Sequence, residues 1–527
     1  MSVIKVLLIG LDGATWNLIK PWADKGELPV FKKLMVSGVW GELESTIPPY
    51  TIPAWLSLST GKTPETLRVY SFMVKRGYQF RPYFMVREPE VKVWDLLSYN
   101  GKRVCILNPP DVHYTYKING IMVAGFLCIS RERLTYPLNL LDQLNAITEG
   151  YEIDTVTIDF KSGKPRPKRI GELTLNQVLK VHNKQFKAFT YLMKKEKADF
   201  SYMVFTILDR IQHAYWGNKR KLLNCYKLID RQLGELIELM DEDTILIIVS
   251  DHGFTSLKRN FYINDFLIKE GYLTLRNKKK SNLVIKIRNL LCSKDILRQL
   301  SLIIFNKLPL TIKEEYFKRT SYRITDVQVD WEKTKAFAFS GLGEIYLNVK
   351  GREPHGVISK NDYEKIRREI SEKLKNIRDP TSGQKISVNV ILVHKKDLTK
   401  DDTPDLIIVE TEEFNVSPLI GYGSIIENYK KPIYGQHSRK GIFLAYGSNI
   451  RKGVRISGVR IYDIAPTILH IFNIPIPIEM NGRVIKEIFE TNSALAKQEV
   501  SYTKSIPIRE KIKKKIEKLK CLGSARK

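Results

Sequence analysis

Seven side chains scattered from residue 12 to residue 437 are of the types that hold divalent cations or act as hydroxyl nucleophiles. They are Asp12 in LLIGLDG, Thr51 in PPYTIPAW, Asp209 and His213 in FTILDRIQHAYW, Asp251 and His252 in ILIIVSDHGF, and His437 in YGQHSRKGIF. Carboxylate and imidazole ligands without a thiolate suit Zn²⁺ or Mn²⁺ in hydrolytic sites. A threonine among them can serve as a metal-activated nucleophile. Asp209 and His213 stand four apart, so on a helical turn they face one side and can share a cation. Asp251 and His252 close a buried apolar run, where two polar groups demand partners. Singly, each cluster has a plainer reading: GLDG is a turn, Asp209 a helix cap, His437 a surface loop histidine, and a threonine before Ile-Pro unremarkable. Taken together, the residue types, with enough ligands for two cations around one hydroxyl, predict a metal-dependent phosphoryl-transfer enzyme.

The elements that must position these residues are apolar runs at 3–10, 103–107, 120–124, 201–207, 244–250, 344–348, 405–409 and 441–446. They are continuous rather than alternating, which indicates strands covered on both faces. With helical segments between them they predict an α/β fold, a doubly wound, mainly parallel sheet flanked by helices. Ligands bind such sheets beyond the carboxyl ends of the strands. Asp12, Asp209, Asp251 and His252 all fall just past the end of a run. Residues 361–377 predict an amphipathic surface helix with Asn361 or Ser359 as N-cap.

At 527 residues, 43% hydrophobic and 27% charged, the chain has the composition of a folded protein of two or more domains, or one large domain with insertions. Its five cysteines are odd in number, widely spaced and free of CxxC pairs. That argues against a disulfide framework or thiolate zinc site and for a reducing compartment. The opening MSVIKVLLIGLDG reads as a core strand rather than a signal peptide. No stretch offers the roughly 20 uncharged apolar residues of a membrane span. The expectation is therefore a cytoplasmic protein. The formal charge of +29 is concentrated in residues 276–320 and 501–527, where basic residues outnumber acids by twelve to three and by ten to two. Residues 276–320 predict a basic amphipathic helical insertion, cap-like, and 491–527 a basic C-terminal tail. The two together could draw the protein peripherally to an anionic membrane surface or a polyanion; the plainer reading is a solvated, charge-rich surface.

The seven residues, together with WLSLSTGKTPE (Trp55 to Glu65), IYLNVKGREPHG (Ile345 to Gly356), GIFLAYG (Gly441 to Gly447), VRIYDIAPTILHIF (Val459 to Phe472) and MNGR (Met480 to Arg483), resemble the alkaline phosphatase superfamily. Within it they are similar to the type I phosphodiesterase/nucleotide pyrophosphatase family and its archaeal and bacterial relatives. The resemblance runs from about residue 3 to 490, with 1–275 and 321–490 as the catalytic domain. It implies two divalent ions, Zn²⁺ or in some relatives Mn²⁺. Asp209, His213 and His437 would hold one; Asp12, Asp251 and His252 would hold the other, with Thr51 completing its shell. It further implies attack by Thr51 on a phosphate-ester substrate through a phosphothreonine intermediate.

One stretch departs from the family pattern. TGKTPETLRVYSF carries Leu67 and Arg68 at the positions of a His-Gly pair, and Phe72 at that of an asparagine that binds a phosphoryl oxygen. This weakens the case for a nucleotide substrate, and Lys62 or Arg68 are the nearby cations that could substitute electrostatically. Thr51-Ile-Pro-Ala-Trp lacks the Cys or Ser and the Arg of a sulfatase. A phosphomonoesterase, phosphotransferase or phosphomutase of the same superfamily is the alternative enzyme, and a non-catalytic anion-binding protein on a degenerate phosphatase fold is the alternative from another class.

Overall fold

A computed structural model describes residues 4–87, 89–128, 130–154, 174–276, 329–379, 383, 385, 388–409, 414–420, 425–428 and 435–504. Most of the predicted basic insertion, and the tail beyond residue 504, lie outside the described residues. The chain divides into two compact units. One comprises the described residues of 1–72, 84–256 and 432–527, the other those of 73–83 and 257–431.

The first unit is built on a nine-stranded sheet. Its order is 454–460, 39–44, 440–447, 244–249, 5–11, 200–205, 104–107, 120–123, 135–136. The five strands from 244–249 to 120–123 run parallel in register, Leu8 lying opposite both Tyr202 and Ile247. The strand Lys440–Gly447 is antiparallel to both its neighbours. Strands 200–205 and 244–249 are buried at every position, which is why their sequences are apolar throughout and show no period of two. Helices such as Leu175–Glu196, capped by Thr174 in a reciprocal bond with Gln177, lay a stripe of Val178, Val181, Phe186, Phe189 and Leu192 toward the core.

The second unit has its own apolar core, including Phe261, Phe337, Tyr346, Ile370 and Ile408. The runs at 344–348 and 405–409 belong here: they form strands Glu344–Leu347 and Leu406–Val409, paired antiparallel in a four-stranded sheet rather than in the large one. The predicted surface helix spans Tyr363–Lys375. Its N-cap is Asp362, one residue beyond Asn361, and Ser359 Oγ accepts from the Asp362 amide at 3.1 Å. In IYLNVKGREPHG, buried Arg352 forks onto Asp405 at 2.7 and 2.9 Å and reaches Glu353 at 3.0 Å, and Glu353 also receives buried Lys75. Lys395 joins the same network at 3.6 Å from Asp405 and 3.4 Å from Asp401, so buried charges of both signs are paired away from water.

Candidate metal centre

All seven predicted residues belong to the first unit, and each lies just beyond a strand of the large sheet or on a segment tied to one. Asp12 follows Lys5–Leu11; its amide donates to the Phe205 carbonyl at 3.0 Å. Gly13, at φ 73°, then turns the chain, and its N–H donates to Asp251 Oδ1 at 3.1 Å. A Cβ there would strain the left-handed backbone and meet the Phe254 ring at 3.0 Å. Asp251 and His252 follow Thr244–Val249, steadied by Ser250, whose Oγ donates to the Ala14 carbonyl at 3.0 Å and accepts from Ile442 N at 2.8 Å. Asp209 and His213 occupy the helix Ile207–Tyr215, one turn apart, with His213 Nε2 3.2 Å from Asp209 Oδ1. His437 sits on the strand Gly435–Ser438, opposite Phe254.

Two clusters result. Ligand atoms of Asp209, His213 and His437 lie within 4.8 Å of one another, as do those of Asp12, Asp209 and His252. Asp251 joins the second through Oδ2, 3.2 Å from His252 Nε2, which is itself 3.6 Å from Asp12 Oδ1. The His252 and His437 rings stack 3.5 Å apart. Thr51 is the first residue of the helix Thr51–Thr60 and is buried. Its segment meets the cluster through Pro49, whose carbonyl accepts from His437 Nδ1 at 3.2 Å, and through the Tyr50 ring, 5.2 Å from that of His437. Ser45 Oγ donates to the Asp251 carbonyl and anchors the same loop from the other end.

The hydrogen bonding fits cations. A carbonyl only accepts, so the bonds to Pro49 and to Gly253 O (3.1 Å) place the ring protons of His437 and His252 on Nδ1. Their Nε2 lone pairs then face the acids, and His437 Nε2 stands 2.9 Å from His213 Nε2. Both Asp12 oxygens, Asp209 Oδ1, Asp251 Oδ2 and His252 Nε2 are buried without a hydrogen-bond partner among the described residues. Acceptors facing acceptors away from water are costly unless positive charge lies between them. Burial, with Asp251 and Asp209 nearby, drives the Asp12 carboxyl well above its usual range, and burial raises Asp251 to about 8. Burial would raise Asp209 too, but His213, His437 and Arg210 hold it below the usual range. Burial, reinforced by the neighbouring imidazoles, keeps His252 and His437 neutral. Neutral imidazoles among carboxylates are the donor set of Zn²⁺ and Mn²⁺.

Several supporting residues have no signature in the sequence. Arg210 Nη1 donates to Asp209 Oδ2 at 2.7 Å, leaving Oδ1 to the imidazoles, and its other edge is held by Asp154 at 3.1 and 3.4 Å. Asp154 lies 56 residues away in the chain, beyond any local pattern. Lys62, weighed above as an electrostatic substitute, is buried between Glu90 at 2.6 Å and Glu479 at 2.8 Å. Arg68 is exposed and ends a short helix with φ 57°.

An α/β sheet of this order with such an acid–imidazole cluster beyond its strands defines an alkaline phosphatase-like hydrolase fold. The family model for type I phosphodiesterase / nucleotide pyrophosphatase matches residues 6–422, and the chain belongs to that family. Among solved structures, human ectonucleotide pyrophosphatase/phosphodiesterase 5 aligns at 15% identity and a TM-score of 0.51, covering 93% of this chain and all of that one (100%). The murine protein of the same name aligns at 12% and 0.49, covering 92% and 100%. An inactive form of the murine protein in complex with AMP aligns at 12% and 0.48, covering 89% and 95%. Identity this low speaks to the fold alone. No curated protein matches in sequence.

Proposed function

We propose that the protein is a two-metal phosphoric ester hydrolase that cleaves phosphodiesters with Thr51 as nucleophile. The observation that carries this reading is the set of buried acceptor atoms, both Asp12 oxygens, Asp209 Oδ1, Asp251 Oδ2 and His252 Nε2, which have no hydrogen-bond donor among the described residues. Asp209, His213 and His437 would hold one cation; Asp12, Asp251, His252 and the Thr51 hydroxyl the other. Zn²⁺ suits the donors best, with Mn²⁺ second. Two bound cations would supply Lewis-acid stabilisation of the attacking and leaving oxygens.

The chain's own residues do the rest. Thr51 opens a ten-residue helix whose first amides lack intrahelical acceptors, so its hydroxyl works where the helix dipole favours negative charge. Pro49 and Tyr50 keep that helix start against His437. The Thr51 oxygen attacks phosphorus, the ester oxygen leaves, and a phosphothreonine ester remains; water then attacks the same phosphorus and returns the threonine. Membership of the family favours diesters over monoesters.

The test is hydrolysis of bis-p-nitrophenyl phosphate and of p-nitrophenyl phosphate by zinc-loaded protein. We expect diester turnover to exceed monoester turnover and Thr51→Ala to lose on the order of 10³-fold or more, with metal content unchanged. A Thr51→Ala protein as active as wild type would overturn the nucleophile. A clear monoester preference would overturn the substrate class.

A further inference from the structure

Among the described residues Arg210 is the one Lys or Arg that bonds a member of the cluster, and its bonding leaves part of its capacity unused. A guanidinium carries five N–H donors. Nε and one Nη2 N–H engage Asp154, and one Nη1 N–H engages Asp209. One N–H on each terminal nitrogen remains, and no protein group takes either among the described residues, although Arg210 is only 8% exposed. Buried donors are seldom left unmade without reason.

The guanidinium lies over the Phe126 ring at 5.1 Å, and Phe126 in turn neighbours Phe72 at 6.5 Å. Phe72 stands where the family pattern has an asparagine that binds a phosphoryl oxygen, and phenylalanine has no donor to offer. Arg210 and Phe72 thus share one neighbour, the Phe126 ring, and of the two only Arg210 has N–H groups to offer. Asp154 grips the far edge of the fork, and the Asp209 carboxylate links it directly to the ligand cluster.

We propose, building on the hydrolase reading above, that Arg210 binds the non-bridging oxygens of the phosphoryl group undergoing transfer. Two charge-assisted N–H bonds from a planar, pre-oriented fork favour the extra negative charge of the transition state over the ground state. The substitution exchanges a neutral donor for a permanent cation, which strengthens the hold on the non-bridging oxygens of the phosphoryl group. It shifts recognition toward the phosphoryl core of the ester and away from its alcohol.

The experiment compares zinc-reconstituted wild type with Arg210→Met and Arg210→Lys. It reads metal content, the dissociation constant for inorganic phosphate by calorimetry, and kcat on bis-p-nitrophenyl phosphate. Arg210→Met should keep wild-type metal content, bind phosphate about tenfold or more weakly, and lose about 10²–10³-fold in kcat. Arg210→Lys, a cation without the fork, should fall between the two on phosphate binding. Added guanidinium should restore part of the activity of Arg210→Ala. Wild-type phosphate affinity in Arg210→Met overturns the proposal, and so does loss of metal in that variant, because Arg210 would then act only through Asp209. If Arg210→Met does not fold, Arg210→Lys decides, and phosphate binding equal to wild type sinks the idea. A wild-type protein that holds metal and turns over ester while Arg210→Met matches it defeats this proposal alone. A wild type that binds neither metal nor phosphate defeats the hydrolase reading with it.

Discussion

Asp12 concentrates the tension of the site in a single side chain. Both its oxygens are buried without donors and two further carboxylates face it. Such an arrangement costs stability in the absence of cations and recovers it on binding them. Asp12→Asn should therefore raise the stability of metal-stripped protein by about 1 kcal/mol, while abolishing the gain that wild type shows on adding Zn²⁺. Melting curves of both proteins with and without Zn²⁺ check this; a stripped variant less stable than stripped wild type would contradict it. The candidate ligands Asp12, Asp209, Asp251 and His252 can be singled out in the sequence because they fall just past apolar runs. Their supports cannot. Ser45, Asp154 and Arg210 are ordinary residues whose partners lie in other segments, and only the fold brings them together.

Strand ends and helix starts together position the candidate site. Gly10, two residues before Asp12, shows how closely they fit: a Cβ there would lie 2.4 Å from Cη2 of Trp55, on the helix that begins with Thr51. The strand that leads to Asp12 and the helix that begins with Thr51 are thus packed through a glycine, for a steric reason that sequence alone does not reveal. On the helix Leu175–Glu196, His182 is 2% exposed, accepts or donates one bond with Gln232 at 2.7 Å, and is lowered by burial to about 4. A folded pKa below the unfolded value of about 6.5 means that the unfolded chain binds the extra proton first. The stability owed to neutral His182 is complete above pH 6.5 and is lost as pH falls toward 4, to the extent of about 3 kcal/mol. Denaturant titrations across that range should show a steeper loss in wild type than in His182→Gln. Parallel slopes would show that the histidine is not buried neutral. The period and length of the apolar runs made strands readable, yet they could not say which sheet each would join. Glu344–Leu347 and Leu406–Val409 look as apolar as the central strands because a second core also buries them completely.

Across the whole molecule, the proposed chemistry is confined to one of two units, each with its own apolar core. No helix among the described residues is long and apolar enough to cross a membrane. The large net charge of +29 is a property of the entire chain, and much of it falls in segments beyond the residues described, so it informs association with anions in general rather than the reaction. The seven side chains come from segments as far as 425 residues apart in sequence, Asp12 to His437; Asp12, Asp209, Asp251 and His252 lie beyond the carboxyl ends of parallel strands, and His437 enters from the strand Gly435–Ser438. The measurement that tests this convergence most directly is the number of divalent cations bound per chain, by elemental analysis after equilibrium dialysis against Zn²⁺. Two per chain are expected for wild type. Because Asp209 stands with His213 and His437, Asp209→Asn should lose the cation assigned to those three residues and retain at most one. A wild-type chain that retains no cation, or an Asp209→Asn chain that retains two, would contradict the account.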